Sequence, residues 1–404
     1  MRIAPSVHII ESKHSMVHRF LIFLNKGQEG NILQRDAHYY AILAFCRACG
    51  FTKKSAHVVA YASQYVDDAK INLMYINNVS DIIEHDIIDN KPAFFNMATC
   101  QSYFRIETFN YEAMVNNTIA FHFVPGCKGE NFTKKLRCKE EGPVILDILE
   151  DVLLEDDLIK LGIILHAFAD SYTHQGFSGM LSKVNDIKNC DAKTKVNLGL
   201  LDIILRIFKQ LNPEKYEEYF HGIMPAYGHG QAREYPDIPD LVWSYEYDYS
   251  DEFNDSYKEV KIDNKERFHR AFLSIRKYLE NYLIKHPQYI DSDLRFGNFD
   301  SLMESLISGG KTEKREENWQ RTLIEQGLFN NEDLDSLIYK DDQWLEKAFS
   351  NYDRNAFYDR NVAGGVQLAD NFMDSNWYHF YLAVKWYKTK FFQSCAKYQL
   401  IIPN

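Results

Sequence analysis

The sequence predicts an all-α fold, a mainly α multi-helix bundle with one long irregular loop segment. Apolar residues recur at three-to-four spacing over long stretches, strand-like alternation is scarce, and only 10 prolines interrupt 404 residues. Aromatic residues, at 14%, supply large apolar side chains with which packed helices fill a core.

Taken in order, residues 1–35 read as an N-terminal extension. Their apolar string Phe20-Leu21-Ile22-Phe23-Leu24 is short, is flanked by histidine and charge, and precedes no small-residue cleavage site, so no Sec signal is expected. Residues 38–49 are apolar all round, as in a buried helix, and Gly50 is a natural stop. A second helix is expected from the cap residue Thr52 to Val66. The pattern at 145–164 is amphipathic, with Glu150, Asp151, Glu155, Asp156 and Asp157 on a solvated face. Residues 158–174 become nearly all apolar, which predicts a central, enclosed helix ending by Gly176. Another helix is expected at 196–211, with Asn212-Pro213 as a turn and new start. Residues 225–263, rich in Gly, Pro, Asp and Tyr, read as the long loop. Helical periodicity resumes at 266–283 and continues to the C-terminus, with 311–317 as a polar interruption. The expected organisation is an extension at 1–35, a helical domain at 36–310, and a C-terminal helical segment at 311–404 whose apolar stretch 377–392 packs back onto the core.

A net charge of −11, from 46 Lys and Arg against 57 Asp and Glu, argues against a surface that attracts nucleic acid or anionic lipid as a whole. Short basic clusters stand at Lys134, Lys135, Arg137 and Lys139 and at Lys311, Lys314 and Arg315. No run approaches the roughly 20 apolar residues of a membrane-spanning helix, so no transmembrane segment is expected. The 7 cysteines form no regular framework and point to a reducing compartment. Cys46 and Cys49 make a C-x-x-C inside a helical pattern with no second pair, a poor basis for a redox or zinc-ribbon role. The expected location is the cytoplasm, or export without a Sec signal.

The most informative segment is His166-Ala-Phe-Ala-Asp170-Ser-Tyr-Thr-His174. On a helix, positions i, i+4 and i+8 advance by only about 40° per step, so the three side chains share one face. An aspartate among Leu161, Ile163, Ile164, Leu165 and Phe168 must be paired or metal-bound to offset its desolvation. Other candidates are Asp36 and His38, which open the first buried helix, and Asp67 with Asp68, adjacent acids that repel one another at a helix end where the dipole disfavours them. His122 enters a Pro-Gly turn, and His229 lies between two glycines. Nitrogen and carboxylate donors without thiolate suit zinc or another mid-row divalent ion. The candidates exceed four, so two or three zinc ions are expected, with Asp170 as the natural bridge. Such ions activate water and stabilise the attacking and leaving oxygens of a phosphoryl centre, which is phosphodiester chemistry.

In the order His38, Asp67/Asp68, His122, His166-x-x-x-Asp170, His174, His229, the chain resembles the zinc-dependent phospholipase C and single-strand-specific zinc nuclease superfamily. The strings Asp36-Ala-His-Tyr-Tyr, Ala62-Ser-Gln-Tyr-Val-Asp-Asp68, Phe121-His-Phe-Val-Pro-Gly126, His166 to Gly179 and Gly228-His-Gly-Gln-Ala look like a bacterial family of unknown function, over about residues 36–245. The superfamily resemblance implies His166 and Asp170 as central zinc ligands, His174 as the next histidine, His122 as the ligand preceding that helix, and His38 as the early histidine of a third site. It implies Asp67 or Asp68 as a catalytic carboxylate, ligand or base. The superfamily's N-terminal Trp ligand has no counterpart here, so either Asp36 replaces it or the third ion is missing. Arg233 stands where an acid would follow His229 by four, leaving Glu234 or Asp237 to serve.

Trp243, Tyr245 and Tyr247 alternate with serine and acids, as suits a cationic head group, and are the expected substrate contacts. Stacked bases would use the same rings. The expected function is zinc-dependent, phospholipase C-like hydrolysis of a phospholipid or other phosphodiester, with metal-bound hydroxide attacking phosphorus. The alternatives are a single-strand nuclease on the same scaffold and a non-catalytic, metal-stapled helical protein.

Overall fold

The computed structural model describes residues 35–101, 110–192, 226–249, 255–294, 296–306, 312–357 and 361–402. The helix expected at 196–211, its following turn and the N-terminal extension before residue 35 lie outside them. A π-helical turn, Asp36–Ala41, leads into α1 (Ile42–Cys49), which stops at Gly50 with φ 109°. In α2 (Lys53–Asp68) the Thr52 side chain accepts from the Ser55 N–H at 3.2 Å, the capping bond its position predicted. The amphipathic pattern divides into α3 (Pro143–Val152) and α4 (Leu158–Thr173). Asp157 makes that division by capping α4, accepting from the N–H groups of Ile159 and Lys160 at 2.9 and 3.0 Å. Further on come α5 (Asn264–Lys285), α6 (Phe299–Leu306), α7 (Thr312–Glu325) and α8 (Asn376–Lys397).

The all-α expectation is corrected: the described residues are 54% helix and 13% strand, with seven strands in two sheets, a mixed α and β architecture. The first sheet, in the order β2 (Asp86–Ile88), β3 (Lys91–Phe95), β1 (Leu73–Ile76), β7 (Asn361–Val366), is antiparallel except for the β1–β7 pair. Ile88 pairs with Lys91 across the two-residue turn Asp89-Asn90, whose φ values of 51° and 59° are those of a primed hairpin turn. The second sheet joins β4 (Lys188–Ala192), β5 (Val242–Tyr249) and β6 (Asp255–Asp263), all antiparallel. The expected loop at 225–263 therefore contains a hairpin. The polar stretch at 311–317 also departs from expectation, because α7 begins inside it.

Two cores result. The larger takes in residues from Ala37 to Ile402, so residues on both sides of Gly310 share it, Trp377, Tyr381 and Phe391 of α8 among them. The smaller lies under the second sheet and includes Phe123, Phe177, Tyr235 and Trp243. At the centre, α4 runs against α2. A Cβ on Gly162 would stand 2.4 Å from the Val59 carbonyl oxygen and 2.6 Å from the Ala62 Cβ, so glycine is what lets these two backbones touch. That contact sets the end of α2 beside the His166–Asp170 face. No helix among the described residues is long and apolar enough to cross a membrane, and all seven cysteines are free thiols.

Candidate metal centre

Five of the expected residues form one cluster with Asp170 at its centre. His166 and Asp170 lie one turn apart on α4, His38 comes from the π turn before α1, and Asp67 from the last turn of α2. His122 ends a helical run whose preceding turn, Met114–Ile119, is again π-helical. Such turns carry an extra residue and are frequent at functional sites. Asp170 Oδ1 is 3.2 Å from His38 Nε2, while its Oδ2 is 3.1 Å from His122 Nδ1 and 3.3 Å from His166 Nε2. Asp67 Oδ1 stands 3.8 Å from both His122 Nδ1 and His166 Nε2. These atoms make two overlapping groups of metal-ligand type, His38/His166/Asp170 and Asp67/His122/His166.

A third group lies beside them. His174, just past the end of α4, places Nε2 3.0 Å from Asp237 Oδ1, and His229 Nε2 is 3.6 Å from Asp237 Oδ2. Asp237 answers the question of which acid joins His229. It lies eight residues on, brought round by the 3₁₀ turns Gly230–Ala232 and Tyr235–Asp237, a spacing that no simple periodicity reveals. A cavity of about 10 Å³, the room of a single water-sized particle, is lined by His38, Asp170 and Asp237 among others and links the groups.

The tautomers carry the chemistry. The His122 Nε2–H donates to the Thr99 carbonyl at 2.9 Å, the His174 Nδ1–H to the His122 carbonyl at 2.8 Å, and the His229 Nδ1–H to the Arg233 carbonyl at 2.7 Å. A carbonyl only accepts, so each bond assigns the proton to that nitrogen. The second nitrogen of each ring is left facing a carboxylate. In a neutral imidazole that is lone pair against lone pair, an arrangement that a proton or a cation between them relieves. Ligating histidines bind metals with this same outer support.

Electrostatics divide the groups. Burial, with the neighbouring His38 adding to it, holds His166 down to about 3, and burial holds His229 down to about 4, so both rings are neutral near pH 7. Burial also opposes charge on His174, but Asp170 and Asp237 outweigh it and raise the ring to about 9. Burial pushes Asp170 up, yet the surrounding His174, His166 and His38 overcome it and hold it well below the carboxylate range. Asp67 goes the other way: burial, aided by Asp170, Asp68 and Asp237 against His122, raises it well above that range. Like charges in one enclosed site drive these carboxyls apart.

Three expectations are corrected. Asp36 is not part of the cluster: it pairs with the buried Arg315 guanidinium, and burial raises its carboxyl to about 7. That pairing also takes Arg315 out of the supposed basic cluster. Asp68 leaves the histidines altogether and accepts from Tyr339 Oη at 2.7 Å. Trp243, Tyr245 and Tyr247 form the inward face of β5 and are buried in the smaller core, with Trp243 Nε1 donating to Asn264 Oδ1 at 3.0 Å, so they offer no open stacking platform.

No curated protein and no solved structure matches the chain. A family model does match, over residues 33–395, and takes in both the histidine groups and the C-terminal helix that closes the core. The chain belongs to this family, DUF6765, a family of unknown function.

Proposed function

We propose that the chain is a metal-dependent, phospholipase C-like hydrolase of phosphodiesters that uses zinc, with His38, His122, His166, Asp67 and Asp170 holding one ion or a close pair and His174, His229 and Asp237 holding another. The observation that carries the metal assignment is the set of three carbonyl-oriented imidazoles whose second nitrogens face carboxylates. The donor set is nitrogen and oxygen without sulfur, which fits zinc, and the order of its residues along the chain supports the superfamily resemblance. Bound zinc supplies Lewis acidity toward a phosphoryl oxygen and lowers the pKa of water. The chain's own part is to hold the ligands rigid and to exclude bulk water from them. Asp237 has the most exposed carboxyl of the set, 10% against 6% or less for the other ligand side chains, so substrate approaches from its side.

The burial of nearly every ligand supports a second reading, a non-catalytic protein stapled by metal. Turnover separates the two. Zinc-loaded protein is assayed on bis(p-nitrophenyl) phosphate, on phosphatidylcholine micelles and on single-stranded DNA. Hydrolysis of at least one, falling by about 100-fold or more in Asp170→Asn, is expected. A folded, metal-loaded protein that cuts none of them is the staple.

A further inference from the structure

A second cavity, of about 130 Å³, opens on the other side of α2's last turn. Its walls are aromatic: Tyr65, Tyr352, Phe357, Trp377, Phe380 and Tyr381. Consecutive helix residues point about 100° apart, so while Asp67 turns toward the histidines, Asp68 turns here. The Asp68 carboxylate is half-buried among these rings. Its Oδ2 accepts from Tyr339 Oη at 2.7 Å and, weakly, from Gln64 Nε2 at 3.4 Å, both neutral donors. Among the described residues no lysine or arginine forms an ion pair with it. The other two acids of the wall are already satisfied. Arg354 reaches Asp341 at 3.0 Å and Asp342 at 2.8 Å, and Tyr352 Oη donates to Asp342 at 3.0 Å. Lys70, which lines the cavity, and Arg35 act on Asp68 through space and lower its carboxyl, but burial outweighs them and raises it.

Two neutral hydrogen bonds do not replace the hydration of a carboxylate set in an aromatic wall. A cation would, because the ring faces attract positive charge as the carboxylate does. The volume suits a molecule about as large as benzene. We propose that this cavity binds a small organic ammonium ion, with Asp68 as its counter-ion and the aromatic wall as its cage. The site is separate from the histidine groups, and its test does not depend on metal.

The experiment is isothermal titration calorimetry of the full chain with tetramethylammonium, with tert-butanol as a neutral molecule of similar shape and with acetate as an anion. Saturable binding of tetramethylammonium at one site per chain is expected, with tert-butanol and acetate each weaker by about tenfold or more. Asp68→Asn, which keeps the side-chain shape, is expected to weaken the cation by about tenfold or more. Should that variant fail to fold, the comparison of the three probes on the wild type decides alone. No saturable binding of tetramethylammonium, equal binding of tert-butanol, a preference for acetate, or a folded Asp68→Asn that binds as the wild type does would each overturn the proposal.

Discussion

Gly162→Ala tests whether the contact of α2 with α4 builds the centre. The added methyl would lie 2.4 Å from the Val59 carbonyl oxygen, where ordinary contact begins at 3.4 Å, so the two backbones must part by about 1 Å. The obstacle is backbone and cannot rotate away, which places the strain at the upper end of the range for overpacked cores, about 3 kcal/mol. Alanine returns about 1 kcal/mol of helix propensity, leaving a net loss of about 2 kcal/mol. The same displacement carries Asp67 Oδ1, now 3.8 Å from His122 Nδ1 and His166 Nε2, out of reach of an ion held by those nitrogens. The assay is urea unfolding beside elemental analysis. The expected result is a lower midpoint together with weakened metal at the Asp67 group, while metal at the group of His174, His229 and Asp237 is retained. A variant as stable as the wild type and equally metal-loaded would refute the argument.

Other substitutions address the remaining links. Asp237→Asn leaves the His38/His166/Asp170 group untouched and is expected to lower metal content by one equivalent, read by elemental analysis. Lys388→Met removes a buried ammonium that donates to the Asn96 carbonyl at 2.6 Å and to its Oδ1 at 2.9 Å, and so anchors the turn that presents the Thr99 carbonyl to His122. A loss of about 2 to 3 kcal/mol in urea unfolding is expected. Thr52→Ala deletes the α2 cap and is expected to cost about 1 kcal/mol by the same measurement, with metal content unchanged.

Much of the centre was legible because helical spacing is a strong constraint. His166, Asp170 and His174 had to share a face, and the apolar residues around them had to be buried. The same geometry explains the two carboxylates that did not join them. Asp67 and Asp68 are about 100° apart on α2, so only one of them meets the histidines. Asp36, two residues before His38, points to nearly the opposite side of its turn and meets Arg315 instead. Neither pairing leaves a local mark, since Arg315 and Tyr339 both lie far along the chain from the acids they meet. Asp237 stood as one of two acids open to His229 for a related reason: two short 3₁₀ turns, not a regular helix, bring it there.

The strands were missed on different grounds. β1, β2 and β3 are three to five residues long, too short for alternation to stand out, and β7 reaches β1 from nearly three hundred residues away. In β5 the alternation of Trp243, Tyr245 and Tyr247 was visible. It marked a strand with one buried face rather than a ligand surface. The turn Asp89-Asn90, with both φ values positive, closes the hairpin of β2 and β3.

The central claim is that the buried histidines and carboxylates hold metal. It is tested most directly by the metal content of the purified chain, expressed with zinc supplied, beside Asp170→Asn and His166→Ala. Two or three zinc equivalents in the wild type, lost at the Asp170 group in both variants, is the predicted result. A well-folded wild type that carries no metal would contradict the account and leave imidazolium and carboxylate pairs as the whole of the centre.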